Sequence, residues 1–293
     1  MSGPSPQEAH DRVKKIVDRI QGLPSLPSTL TSINQMVLNT KTSPKEVAQL
    51  ISSDPALTSK VLRIVNSTFY GFPNRIATIT HAIVILGFNT IKSIVLSSSI
   101  FDVFQRNSDA VDFDRTEFWR HSVGCGAAAR ALGHRLNYPA AEELFIAGLL
   151  HDIGKIVLDQ FLAAQFQEAL RMAKERPCLL VQAEAEVFGF THADVGSLLF
   201  EKWNLSKGLV QTTRFHHNPG LAGDSLKLAA IVHVADILVR ALRFGNGGDE
   251  KIPIVSDSAW AALALEESEF DALLRQTRAE IEKATVFLDF AKK

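Results

Sequence analysis

Only two cysteines, Cys125 and Cys178, occur among 293 residues. That is too few for a disulfide framework and fits reduced thiols in a cytosolic protein; Cys125 reads as small core filler. Charge of either sign is not in excess. Thirty-one basic against thirty-two acidic residues give a formal net charge of −1, so no global field draws the chain to nucleic acid or an anionic membrane, and any phosphate recognition must be local. No stretch approaches the roughly 20 uninterrupted apolar residues of a membrane span, and the opening MSGPSPQEAHDRVKK lacks the apolar segment of a secretory signal. A soluble cytoplasmic protein is expected. There is also no long Pro/Ser/Gly or charge-run linker, no internal repeat of 20 to 50 residues, and no period-two strand pair with hairpin chemistry.

What is present is helical periodicity and enough apolar residues, 46% of the chain, to bury roughly three quarters of the surface of the unfolded form. In HDRVKKIVDRI the apolar Val13, Ile16, Val17 and Ile20 recur at three- and four-residue spacing, which predicts an amphipathic helix. Pro24 and Pro27 in LPSLPST then separate it from a second helix over about 28–37. Ser43, Pro44 and Glu46 form a helix start with a capping box, and Asp54 with Pro55 repeats the logic, with Leu57, Val61, Ile64 and Val65 facing inward. THAIVILG and NTIKSIVLSSSIFDVF predict buried helices. A second block begins near Phe113. Its first helix carries Gly124, Gly126 and three alanines that let a neighbour approach closely, and it continues through AEELFIAGLLHDIGKIVLDQF, a helix around 163–175, HADVGSLLFEKW, LVQTTRFHH and SLKLAAIVHVADILVRAL. After the loop RFGNGGDEKIPIVSD, Phe270, Leu273, Leu274 and Ile281 mark a final helical region. The fold class is all-α, divided as 1–108, an N-terminal helical bundle, 109–245, a second helical unit on which it packs, and 246–293, a C-terminal helical extension.

Chemistry concentrates in the second block. His121, His151, His192 and the pair His216 and His217 fall on or beside apolar helices, accompanied by Asp152 and Asp236. Neutral imidazole and carboxylate are the ligands of a borderline or hard divalent ion, and a bound cation offsets the cost of burying carboxylates. Adjacent residues on a helix point about 100° apart, so His151 and Asp152 can share a site at a helix edge, but other helices must complete it. His233 stands three residues from Asp236 on the same face and could compete with it for a metal, although a core group or one supporting the ligands is the favoured reading. His10, His81 and His134 have no comparable context.

The ordered set of His121 in WRHS, His151 and Asp152 in HDIGK, and Asp236 in HVADIL resembles the HD superfamily of metal-dependent phosphohydrolases, whose metal is held by His, His-Asp and Asp in that order. His192 in THADVG and His216 or His217 in FHHNP match the further histidines of its two-metal subgroup. Glu117 in EFWRH resembles a third-metal ligand of some HD-GYP proteins, its alternative being a solvated helix carboxylate. Lys155, one turn beyond Asp152, is either a point charge for a substrate phosphate or an ordinary surface lysine. The first block narrows the resemblance. LPSLP, SSDPALTSKVLRIVNSTFYG and ITHAIVILG, followed by FWRHS, HADVG, WNLS and FHHNP, are similar to the HDOD domain, the HD-related output domain of bacterial signalling proteins, over about 15–245.

That resemblance implies an HD-like helical unit with an added N-terminal bundle. Most such domains act as non-catalytic signalling modules because their metal ligands have decayed, whereas this chain keeps His121, His151, Asp152, His192, His216 or His217, and Asp236. The GYP signature is absent after the histidine pair, which reads HHNPGLAGD, so hydrolysis of cyclic-di-GMP is not expected. Two functions are carried forward. One is a regulatory or protein-interaction module with a mono- or binuclear metal site, whose partner is a signalling protein or a small phosphorylated ligand. The other is a metal-dependent phosphohydrolase in which Asp152 and Lys155 are catalytic. In either case the histidine-rich shell favours Fe or Mn over Mg. A blocked, empty site is a third possibility.

Overall fold

The computed structural model describes residues 25–39, 41–104 and 113–290, together with 13–15, 18 and 23. Among these residues there is no strand, and the all-α expectation holds. The helix expected from Val13 to Ile20 falls largely outside the described residues, although Val13 itself is buried.

Among the described residues, four helices build the first block: α1 (Ser28–Leu38), α2 (Pro44–Ser52), α3 (Pro55–Val65) and α4 (Ile79–Val103). The caps act as predicted. Ser43 Oγ accepts from the Glu46 amide while the Glu46 carboxylate accepts from the Ser43 amide, and Asp54 accepts from the Leu57 amide, each satisfying backbone donors that the helix start leaves open. Inside α4, Gly87 adopts φ 82° and ψ 164°, which breaks the run into the two helices the sequence suggested. By length and composition α4 could cross a membrane, yet half of its most apolar window is buried within the protein. The kink and that packing suit a core helix.

The second block comprises α5 (Arg115–Arg135), α6 (Ala141–Leu150), α7 (Ile153–Phe161), α8 (Ala163–Glu175), α9 (Leu180–Phe188), α10 (His192–Lys202), α11 (Lys207–Phe215) and α12 (Leu226–Ala241). α6 is buried on every side, as a helix apolar all round must be. The small residues of α5 admit its neighbours: a Cβ on Gly126 would stand 2.8 Å from the Phe145 carbonyl oxygen of α6, and one on Gly124 would meet Val239 of α12 at 3.0 Å. One departure from the sequence reading decides the site. HDIGK does not lie within a single helix; α6 stops at Leu150 and α7 starts at Ile153, with Asp152 at φ −100°, ψ 8°. The break redirects the chain so that Gly154 meets the backbone of His192 on α10.

After α12, residues 242–256 fold back without regular structure. α13 (Asp257–Leu263) and α14 (Phe270–Ala284) follow, and 3-10 turns over Thr285–Phe290 end the described chain. Buried apolar residues from Val13 to Phe287 form one continuous core.

Candidate metal centre

Five helix ends and faces bring the sequence-predicted residues together. His121 comes from α5, His151 and Asp152 from the break between α6 and α7, His192 from the first turn of α10, His216 and His217 from just beyond α11, and Asp236 from α12. His121, His151, Asp152, His192, His216 and Asp236 are each at most 2% exposed.

Asp152 stands in the middle. Its Oδ2 faces one group, 3.3 Å from His151 Nε2 and 3.8 Å from His121 Nε2. Its Oδ1 faces another, 3.0 Å from His192 Nε2 and 3.5 Å from His216 Nε2. Asp236 Oδ1 joins the first group at 3.0 Å from His121 Nε2 and 3.9 Å from His151 Nε2. His217 Nε2 joins the second at 3.0 Å from His192 Nε2. Two sets of ligand atoms, one from His121, Cys125, His151 and Asp236 and the other from Asp152, His192, His216 and His217, each lie within 4.8 Å of one another, close enough to hold one cation.

The hydrogen bonds behind the rings fix which nitrogen faces inward. His151 Nδ1 lies 2.7 Å from the Gly148 carbonyl oxygen, His216 Nδ1 2.8 Å from that of Thr213, and His192 Nδ1 2.6 Å from Glu184 Oε2. Each Nδ1 therefore carries the proton and donates it, leaving the Nε2 lone pair aimed at the centre, which is how proteins orient metal-binding histidines. His151 Nε2, His216 Nε2 and Asp152 Oδ1 make no aligned hydrogen bond despite complete burial. Unpartnered buried polar atoms are costly; one of these faces the first group and two face the second, which fits a divalent ion in each.

Electrostatics point the same way. Burial pushes His216 down to about 4, and burial with the adjoining histidines holds His217 well below its usual value. Burial also lowers His121, against the pull of Asp236. These imidazoles are neutral at pH 7, the form that ligates. For His192, burial pulls downward, but the Glu184 and Asp152 carboxylates together outweigh it and the ring is raised. Against their burial, His151 and Lys155 keep Asp152 ionised, and Arg240 and His121 do so for Asp236.

Two predicted site residues stand differently from expectation. Glu117 joins neither group; its carboxylate is 41% exposed and 3.4 Å from Arg120, because its helical position faces the loop after α12 rather than the ions' space. Lys155 is no surface lysine. It is fully buried, with Nζ donating to Asp152 Oδ2 at 2.6 Å and to the Gly247 carbonyl at 2.7 Å, so no donor faces solvent where a substrate phosphate could arrive. His233 donates from Nδ1 to the His216 carbonyl and accepts the Ser256 amide at Nε2, a supporting role. His81 and His134 are exposed, and His10 lies outside the described residues.

Sequence reasoning missed three residues. Glu184 orients His192. Arg240 donates from Nε to Asp236 and from Nη1 to Asp249, which tethers the following loop. Cys125 is more than core filler: its Sγ lies 3.5 Å from His121 Nε2, and burial and the nearby carboxylates raise its thiol well above the usual range. For Cys125 the four-residue spacing from His121 was the available signal.

The fold and the site define a class: an all-helical domain around a buried histidine–aspartate centre with room for two ions. The sequence profile of the HDOD domain matches residues 23–219, and the chain belongs to that family. An uncharacterized protein of Treponema pallidum (strain Nichols) is 30% identical over 243 residues, covering 81% of this chain but only 46% of that one; the chain thus spans about half the length of this relative. A crystal structure of an HDOD domain protein of unknown function from Geobacter sulfurreducens superposes with a TM-score of 0.81 at 24% identity, over 96% of this chain and 97% of that one. A protein from Shewanella amazonensis SB2B, provisionally named a phosphohydrolase, superposes at 0.73 with 23% identity, over 95% and 97%. At these identities the likeness establishes the fold alone.

Proposed function

We propose that this chain is a regulatory signalling module whose HD-like half holds divalent ions in a closed site, so that ion occupancy sets the surface a partner protein reads. The observation that carries this reading is the lid. Gly247 of the loop over 242–256 lies so close that a Cβ on it would stand 3.1 Å from the His121 ring and 3.4 Å from Asp152 Oδ2. The loop is tied down by the Asn246 amide donating to the Glu117 carbonyl, by Arg240 donating to Asp249 and the Lys251 carbonyl, and by the Leu180 amide donating to Asp249. Structural metal sites are closed in this way, whereas catalytic ones keep a position open. Fe or Mn suits the histidine-rich ligand set better than Mg.

One observation favours the second reading, a metal-dependent phosphohydrolase. A cavity of about 390 Å³ opens beside the lid, lined by His121, Arg240, Arg243 and Asn246 but also by Glu117, Asp249 and Glu250; Arg240 is already paired with Asp236 and Asp249, which leaves the Arg243 guanidinium to hold a phosphate next to the centre. Bound divalent ions would supply Lewis-acid activation of water and neutralise charge on the leaving group. Asp152 would fix the separation of the two ligand groups, and Lys155 would exchange the Gly247 carbonyl for substrate once the loop lifts.

The test is elemental analysis of protein purified without chelator, then assays of the Fe- and Mn-loaded forms on phosphomonoesters and phosphodiesters. The regulatory reading expects bound metal and no turnover above a metal-only blank. Turnover that disappears in Asp152→Ala would replace it with the hydrolase.

A further inference from the structure

The first ligand group contains an atom that an HD-type set of His, His-Asp and Asp does not supply. Cys125 lies one helical turn beyond His121 on α5, completely buried, with Sγ 3.5 Å from His121 Nε2 and 4.0 Å from Asp236 Oδ1. Together with His151 Nε2 these atoms fall within 4.8 Å of one another, and His151 Nε2 is the completely buried, unpartnered atom aimed into the same space. An ion bonded at about 2.0–2.1 Å to nitrogen and oxygen and about 2.3 Å to sulfur separates neighbouring ligand atoms by about 3–4 Å. The observed separations of 3.0, 3.5, 3.9 and 4.0 Å lie in that range. The backbone holds the thiol in place, since a Cβ on Gly148 of α6 would stand 2.4 Å from the Cys125 carbonyl oxygen.

We propose that Cys125 is a thiolate ligand of the first ion. The inference rests on the metal reading above and makes the centre unsymmetrical. One half offers sulfur beside His121, His151 and Asp236; the other offers only nitrogen and oxygen from Asp152, His192, His216 and His217. On binding, the thiol proton leaves to solvent as the sulfur–metal bond forms. Thiolate shifts preference toward Fe²⁺, Co²⁺ or Zn²⁺ in the first half and away from Mn²⁺ or Mg²⁺.

Anaerobic titration of the metal-free full chain with Co²⁺ tests this, read by absorption and equilibrium dialysis. Wild type should develop a near-ultraviolet thiolate-to-cobalt charge-transfer band. Because the chain has only two cysteines, Cys178→Ser retaining the band assigns it to Cys125 even if variants at 125 do not fold. Folded Cys125→Ser and Cys125→Ala should lose the band, keep the visible cobalt bands, and bind the first ion about tenfold or more weakly. Cobalt bound by wild type without the charge-transfer band, or a band that survives Cys125→Ser, overturns the thiolate ligand and leaves the metal centre standing. No cobalt bound by wild type overturns both.

Discussion

At the scale of single residues, the centre depends on groups that orient its ligands as much as on the ligands. Glu184 is the sharpest case. Its Oε2 accepts both the backbone amide of His192 at 2.8 Å and the ring Nδ1 at 2.6 Å, and it is completely buried. Glu184→Gln keeps the size but weakens the charge-assisted bond that holds the ring. We expect it to lower affinity for the second ion by about 10–100-fold while leaving the first within a few-fold, as read by two-site calorimetric titration. In sequence, Glu184 and Glu186 of QAEAEVF look alike. One points inward and the other pairs with Arg176 on the surface, a difference fixed by how α9 packs. The ligands were easier to read because imidazoles and carboxylates on apolar helices are conspicuous, and their order matched a known pattern. Their division into two groups with Asp152 between them followed from the same resemblance; the distances and the nitrogen that each ring turns inward required coordinates. Glu117 and Cys125 show the limit: each is one turn from His121, and spacing alone does not say which turn faces the centre.

At the scale of elements, helix existence and caps were legible because the 3.6-residue period and the Ser43 and Asp54 signals are local. The break at His151 and Asp152 was not, since no proline or glycine at those two positions marks it. Its consequence is the crossing of α7 and α10, where a Cβ on Gly154 would sit 2.0 Å from the His192 carbonyl oxygen and 2.9 Å from the Gly196 amide. Backbone atoms on both sides cannot yield cheaply. Gly154→Ala should therefore cost about 2–3 kcal/mol or more in urea unfolding and weaken metal binding by displacing His192. Gly208→Ala is the control. Its added Cβ would make ordinary contact, 3.4 Å from Leu228, and stability should stay within about 0.5 kcal/mol of wild type. An equal loss in both variants would refute the argument from close approach.

At the scale of the whole molecule, sequence divided the chain into a bundle, an HD-like unit and an extension, while the core runs through all three. Phe287 of the extension is the wedge between them. It is 1% exposed, with its ring 5.2 Å from Phe69, which follows α3, and 4.7 Å from Phe145 of α6. Beside it Glu142 accepts both the Tyr70 hydroxyl at 3.0 Å and Arg130 Nε at 2.7 Å, and the Arg130 guanidinium lies over the Phe69 ring. The candidate centre is thus joined to the bundle through α5 and α6 without a flexible linker, as the proposed regulatory role needs. Emptying the wedge should cost about 3–5 kcal/mol, the usual range for a buried phenylalanine cut to alanine. If the extension is what couples the two blocks, Phe287→Ala should also turn a single calorimetric transition into two, with the bundle melting first because fewer buried residues remain to hold it. A single transition that moves down without splitting would show that the direct contacts of Phe69 with Phe145 and Arg130 are sufficient, and that the extension stabilises the molecule without joining its parts.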